Sequence, residues 1–215
     1  CESMYSTDGS LAELNDIIYL KKKYDCLLFV DEIHAVGVHG KKGGGITDLL
    51  EITDDIDIIM GGFGKGYGLI GGYIAGEKSL IDSIRLCASG FIFTTSLPPH
   101  IVNANIESIN INMKYLKSYQ IKRNKLIHKF KNLARIKKIP LIENKFKNSQ
   151  IQSILIGDAS KAEKIHNILL NEYNHYVQHL NYPTVAFSNE RLRISLKYHH
   201  TNEMIIDLLN NIEIL

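Results

Sequence analysis

Five of the eight residues from Gly61 to Gly68 are glycine, and they enclose a single lysine, Lys65. A helix or strand cannot run through so many glycines without losing packing and paying extra backbone entropy. The segment is therefore a loop in which backbone can pass where a Cβ would collide. It follows Ile56–Met60, an apolar stretch that reads as a strand. Upstream, Cys26–Val30 is a continuous apolar run suited to a buried parallel strand, and it ends at Asp31-Glu32-Ile33-His34. Open α/β sheets present their ligands at the carboxyl ends of strands. A lysine loop and an acid–histidine segment thus fall where such a sheet does chemistry.

The rest of the chain divides by hydrophobic period. Residues 11–24 have helical spacing, with Asp8 and Ser10 available as caps. Residues 69–76 read as a strand leaving the lysine loop, and 78–87 as a short helix. The run 91–95 reads as a strand end or extended loop. Pro98-Pro99 opens a helix that reaches about residue 135 with a break inside it. Composition shifts near Pro140. Strands at 151–156, 176–180 and 191–196, with helices at 160–172 and 203–213, then suggest a small α+β domain. The basic residues of 114–138 read as a solvated helix face.

At 215 residues the chain has room for one large domain with a smaller companion. A net charge of +2, with lysines spread along the chain, gives no basic patch for nucleic acid. Cys1, Cys26 and Cys87 lack metal or disulfide spacing, so a reducing compartment is expected and Cys26 reads as a buried free thiol. No apolar run has transmembrane length, so no membrane partner is expected. The chain opens at Cys1 in the middle of motif-like sequence, and it reads as part of a longer protein.

Lys65 admits several chemistries. A phosphate-binding P-loop needs Ser or Thr after Gly-Lys, and Gly66 stands there. A dinucleotide fingerprint occurs at Gly66–Gly71, but a strand rather than a helix follows it. A Schiff-base lysine for pyridoxal 5'-phosphate uses every feature of the loop, with Asp31 to pair with the pyridinium nitrogen. A plain surface loop remains open, as does a turn-capping role for Asp31. His34 reads as a neighbour of the cofactor ring and His39 as polar loop; neither has a third metal ligand at clear spacing. The Phe93–Ser96 segment before a proline-started helix suits a phosphate or simple capping. Arg193, inside the alternation Leu192–Leu196, needs a partner: a substrate carboxylate or a structural ion pair.

Together these segments resemble the 5-aminolevulinate synthases, within the α-oxoamine synthase group of fold-type-I pyridoxal-phosphate enzymes. The likeness rests on Glu2–Gly9, Val30–Gly37, Gly43–Gly45, the lysine loop, Gly71–Ala75, Gly90–Pro99, Asn181–Val185 and Leu192–Ile194. It covers nearly the whole chain and is weakest over 110–150. The resemblance implies an α/β fold: the carboxyl-terminal part of a fold-type-I transferase large domain over residues 1–120, then a small α+β domain over 121–215. It implies condensation of glycine with succinyl-CoA to 5-aminolevulinate, the opening step of haem biosynthesis, in a homodimer whose site lies at the subunit interface. A sibling α-oxoamine synthase, a nucleotide-binding module and a non-catalytic subunit are the other readings.

By the same resemblance Lys65 holds the cofactor covalently and moves the glycine α-proton. Asp31, His34 and Ser6 surround the cofactor, and Thr94 and Thr95 reach the phosphate of the partner subunit's cofactor. Arg193 binds the glycine carboxylate, and Thr184 lies on a mobile loop over succinyl-CoA. No metal is implied. The location is the mitochondrial matrix in a eukaryote and the cytoplasm otherwise. The sequence departs from the family pattern at Gly62, where threonine is usual, and at Ala186–Asn189, where a Pro-Arg-Gly-like loop is usual. The amino-terminal half of the family's core is missing from this sequence. Residues 1–215 alone are therefore expected to be inactive, with apolar strand surface uncovered.

Overall fold

The structure, a computed structural model, describes residues 1–214. It divides into two compact units: Cys1–Met4 with Leu11–Lys117, and Tyr5–Ser10 with the chain from Ser118 onward.

The first unit is built on a three-stranded sheet. β1 (Phe29–Asp31) runs parallel to β2 (Ile58–Gly62), and β3 (Gly72–Gly76) pairs antiparallel to the other side of β2. Glu2 adds a parallel bridge to Asp31, whose carbonyl accepts from the Ser3 amide at 2.8 Å. Helix α1 (Leu14–Tyr24) buries Leu14 and Ile18 and stops at Asp25, which is left-handed (φ 49) and returns its N–H to the Lys21 carbonyl. Lys21 pairs with Asp57 at 2.8 Å, tying the end of α1 to the entry of β2. The short helix α2 (Ile46–Leu49) follows the turn after β1, while α3 (Lys78–Cys87) packs against the short α4 (Ser89–Ile92), and Glu77 caps α3 by accepting from the Ser79 amide at 2.7 Å.

Helix α5 (Pro99–Ile136) spans 38 residues and belongs to both units. In the second unit its carboxyl-terminal half packs on an antiparallel sheet ordered β4 (Leu141–Ile142), β5 (Ile151–Leu155), β7 (Arg191–Ser195), β6 (Gln178–Leu180). Helices α6 (Ala159–Asn171) and α7 (Asn202–Ile214) complete that layer. Ile127, Phe130 and Ala134 from α5 meet Ile154, Leu169, Leu192 and Leu209 in one buried cluster. Asp158 caps α6 by accepting from the Lys161 amide at 2.7 Å. Among the described residues no helix is long and apolar enough to cross a membrane.

Several expectations need correction. Helix α1 starts at Leu14, because Leu11 bridges to Met4 and the Asp8 carboxylate accepts from the amide and hydroxyl of Ser10. Cys26 is exposed rather than buried. It precedes the strand, and the strand itself buries only alternate residues: Val30 is fully buried, whereas Leu27 and Phe29 are 70% and 46% exposed. Of the run 91–95, expected as a strand end or extended loop, Phe91 and Ile92 instead close the short helix α4, and α5 has no break. Asparagine and β-branched residues are weak helix formers, but buried side chains along α5, from Asn105 and Asn112 to Ile127 and Phe130, hold the helix continuous.

Candidate active site

The parallel pairing of β1 with β2 sets the chemistry. It aligns Asp31 with Met60, so both strands deliver their next residues at the same edge of the sheet. From β1 the chain turns through His34, and from β2 it enters the glycine loop. The two excursions meet where Lys65 Nζ lies 2.7 Å from His34 Nε2. One nitrogen of that pair must act as acceptor, so the contact couples the protonation of a primary amine to that of an imidazole. Asp31 uses Oδ1 to accept from the Ile33 amide at 2.8 Å, while Oδ2 makes no protein hydrogen bond among the described residues.

Two glycines are required by this geometry. A Cβ at Gly66 would overlap the Val36 carbonyl oxygen, so the lysine loop touches the His34 turn backbone to backbone. Gly45 has φ +103, and a Cβ there would overlap the Glu32 carboxylate. At the unusual Gly62, a Cβ would sit 3.0 Å from Cγ1 and Cδ1 of Ile33, so Ile33 occupies the side on which a larger residue would grow.

Glu32, fully buried, anchors the turn. It accepts from Ser3 Oγ at 2.5 Å, the Ile46 amide at 3.0 Å and the Thr47 amide at 2.7 Å, the last two at the start of α2. Phe63 packs between Tyr67 and Tyr73, with centroids 5.7 and 5.6 Å away. Burial pushes the Tyr73 phenol up to about 12, so it stays neutral. His39, expected in a polar loop, is instead 97% buried, since its exposure is 3%.

Of the other candidate residues, Ser6 and Arg193 come together in the second unit. Arg193, on β7, donates from Nε to the Ser6 carbonyl at 2.5 Å. Burial lowers its pKa, yet a guanidinium stays charged at neutral pH. Among the described residues its hydrogen bond to protein is the one from Nε. Thr184 is exposed in the turn after β6, its amide donating to the Asn181 carbonyl at 2.9 Å, with Tyr182 and Phe187 stacked at 4.3 Å beside it. Thr94 and Thr95 are exposed between α4 and α5. Sequence reasoning missed Glu32 and Tyr73. An acid next to Asp31 carries no pattern of its own, and the tyrosine is placed by strand pairing across β2.

The aminotransferase class I and II family model matches residues 1–212. The chain belongs to that family. Within it, the chain is 51% identical over 207 residues to the 5-aminolevulinate synthase of Rickettsia typhi, covering 96% of this chain and 49% of that protein. It is 39% identical over 228 residues to the mitochondrial 5-aminolevulinate synthase of Agaricus bisporus, covering 98% and 36%. A serine palmitoyltransferase from S. paucimobilis, solved with a bound PLP–myriocin aldimine, superposes with a TM-score of 0.90 at 25% identity, over 99% of this chain and 53% of that one. The fold is thus the expected α/β part of a fold-type-I enzyme. The chain spans about half the length of the curated relatives it matches.

Proposed function

We propose that this chain carries the cofactor lysine of a pyridoxal-phosphate enzyme that condenses glycine with succinyl-CoA, giving 5-aminolevulinate, CoA and carbon dioxide. The observation that carries the reading is the 2.7 Å approach of Lys65 Nζ to His34 Nε2 at the carboxyl edge of a parallel strand pair. The donor set fits the cofactor: an amine for its aldehyde, an imidazole for its ring hydroxyl and the uncommitted Asp31 Oδ2 for its pyridine nitrogen. Pyridoxal 5'-phosphate, when bound, supplies an electron sink that stabilises negative charge on the glycine α-carbon.

The chain's own groups do the rest. The Lys65 amine holds the cofactor and, once freed, takes the α-proton, with His34 beside it to share the charge. Asp31 keeps the pyridine nitrogen protonated through a charge-assisted hydrogen bond. Arg193 receives the glycine carboxylate in the two-pronged geometry that a guanidinium provides. Ser6, whose carbonyl fixes the Arg193 Nε, borders the cofactor. Thr94 and Thr95 serve the phosphate of the second subunit of a homodimer, and Thr184 belongs to the loop over the acyl-CoA. Residues 1–120 are assigned to the cofactor-binding domain and 121–215 to the small domain. The enzyme works in the mitochondrial matrix in a eukaryote and in the cytoplasm of a bacterium.

The test uses the full-length protein. Borohydride reduction with cofactor bound, followed by peptide mapping, places the pyridoxyl group on Lys65. Asp31→Asn keeps part of the cofactor and loses most turnover of glycine with succinyl-CoA. An adduct on Lys41, Lys42 or Lys78, or near-normal turnover in Asp31→Asn, refutes the assignment. Faster turnover with acetyl-CoA than with succinyl-CoA moves the chain to a sibling acyltransferase.

A further inference from the structure

Three polar side chains on the first half of α5 share one helix stripe: Asn105, Ser108 and Asn112, at i, i+3 and i+7. All three donate to backbone carbonyls of the two loops that make the site. Asn105 Nδ2 reaches the Ile70 carbonyl at 3.0 Å, and Ser108 Oγ reaches the Tyr67 carbonyl at 2.9 Å. Both acceptors flank Lys65 on the carboxyl side of its loop. Asn112 Nδ2 reaches the Gly37 carbonyl at 2.9 Å, on the turn that carries His34. Asn105 and Asn112 are buried on an otherwise apolar helix face.

A glycine-rich loop has many backbone states, so its Lys65 would sample many positions relative to His34. Gly37, Tyr67 and Ile70 have carbonyls that no sheet ladder satisfies, and each finds its donor on the same rigid helix. We propose that Asn105, Ser108 and Asn112 are positioning residues: a polar rail on α5 that holds the Lys65 loop and the His34 turn in register. None of the three is placed against the substrate; they act through Lys65 and His34. This inference rests on the functional reading above for its catalytic consequence, though not for the clamping itself.

The two parts separate experimentally. Hydrogen–deuterium exchange on the full-length protein without cofactor reads the clamp alone. Loss of one neutral hydrogen bond of about 1 kcal/mol corresponds to about fivefold faster exchange. Ser108→Ala and Asn105→Leu therefore speed exchange across residues 63–70 about fivefold and leave β5–β7 unchanged. Ser108→Thr, which keeps the hydroxyl, restores the slow rate, and the outward-facing Asn110→Ala leaves it unaltered. With cofactor and substrates, Ser108→Ala and Asn105→Leu lower kcat about fivefold with little change in the glycine KM, because Lys65 is misplaced more often than substrate is lost. Unchanged loop exchange overturns the rail. Faster exchange with unchanged kcat and unchanged borohydride trapping at Lys65 overturns its positioning role. An unsubstituted protein that binds no pyridoxal phosphate sinks the functional reading instead, whatever the exchange data show.

Discussion

Glu32→Gln should loosen the turn between Asp31 and His34 without removing a single heavy atom. In the native structure Oε2 takes two donors, the Ser3 hydroxyl and the Ile46 amide, and Oε1 takes the Thr47 amide. A glutamine amide has one oxygen and one NH2. Its better orientation keeps oxygen at the Oε2 position, which retains two bonds and turns the NH2 toward the Thr47 N–H, donor against donor. One charge-assisted hydrogen bond, about 1.5–3 kcal/mol, is lost outright, and the two survivors drop to neutral strength. The carboxylate's attraction to the start of α2 goes as well, but α2 is a single turn and adds little. The sum is about 3 kcal/mol at a fully buried site, equivalent to about a hundredfold faster local opening. Hydrogen exchange at Ile46 and Thr47 in the full-length protein reads this directly, and cofactor retention reads its consequence at Asp31. Exchange at those amides within twofold of the native rate would refute the account of Glu32 as the anchor of the turn.

Two other substitutions probe the loop and the sheet. Gly66→Ala drives a Cβ into the Val36 carbonyl oxygen, and because the obstacle is backbone the loop must move; we expect a cost of about 1–3 kcal/mol and slower borohydride trapping at Lys65, checked by thermal melting and trapping rate together, with native values in both counting against the close approach. Asp57 bears on acid stability: burial alone would raise its pKa, but hydrogen bonds from Lys21 and from the Leu28 amide outweigh burial and hold it below the ordinary 3.8. Since the folded pKa is depressed, its stabilisation is complete above about pH 4 and fades as pH falls through the folded value. Asp57→Asn should therefore flatten the acid limb of a melting-temperature profile below pH 4, and an unaltered limb would assign acid sensitivity elsewhere.

Much of the candidate site was legible in the residues because its requirements are local. A glycine-saturated loop around Lys65, an apolar run ending at Asp31 and a histidine three residues on are patterns that short-range chemistry writes into sequence. The positions of β1, β2 and β3 followed from the same apolar runs, with boundaries shifted by two or three residues. The degree of burial did not follow. Cys26 and Leu27 read as core because they are apolar, but the strand starts at Phe29 and covers only alternate side chains. The continuity of α5 was equally hidden, since asparagine-rich sequence is a poor helix former until packing holds it.

What the sequence determined by itself was the inventory: which amine, imidazole, carboxylate and guanidinium are available, and that a fold-type-I scaffold carries them. Tertiary structure decided their partnerships. The meeting of Lys65 with His34 depends on parallel pairing of strands far apart in the chain. The burial of Glu32 against α2 and Ser3, and the reach of Asn105, Ser108 and Asn112 to three loop carbonyls, depend on a helix and loops that sequence leaves unconnected. The physical reason is that a side chain's type is a local property, whereas the satisfaction of a buried polar group depends on whatever the fold brings within 3 Å of it.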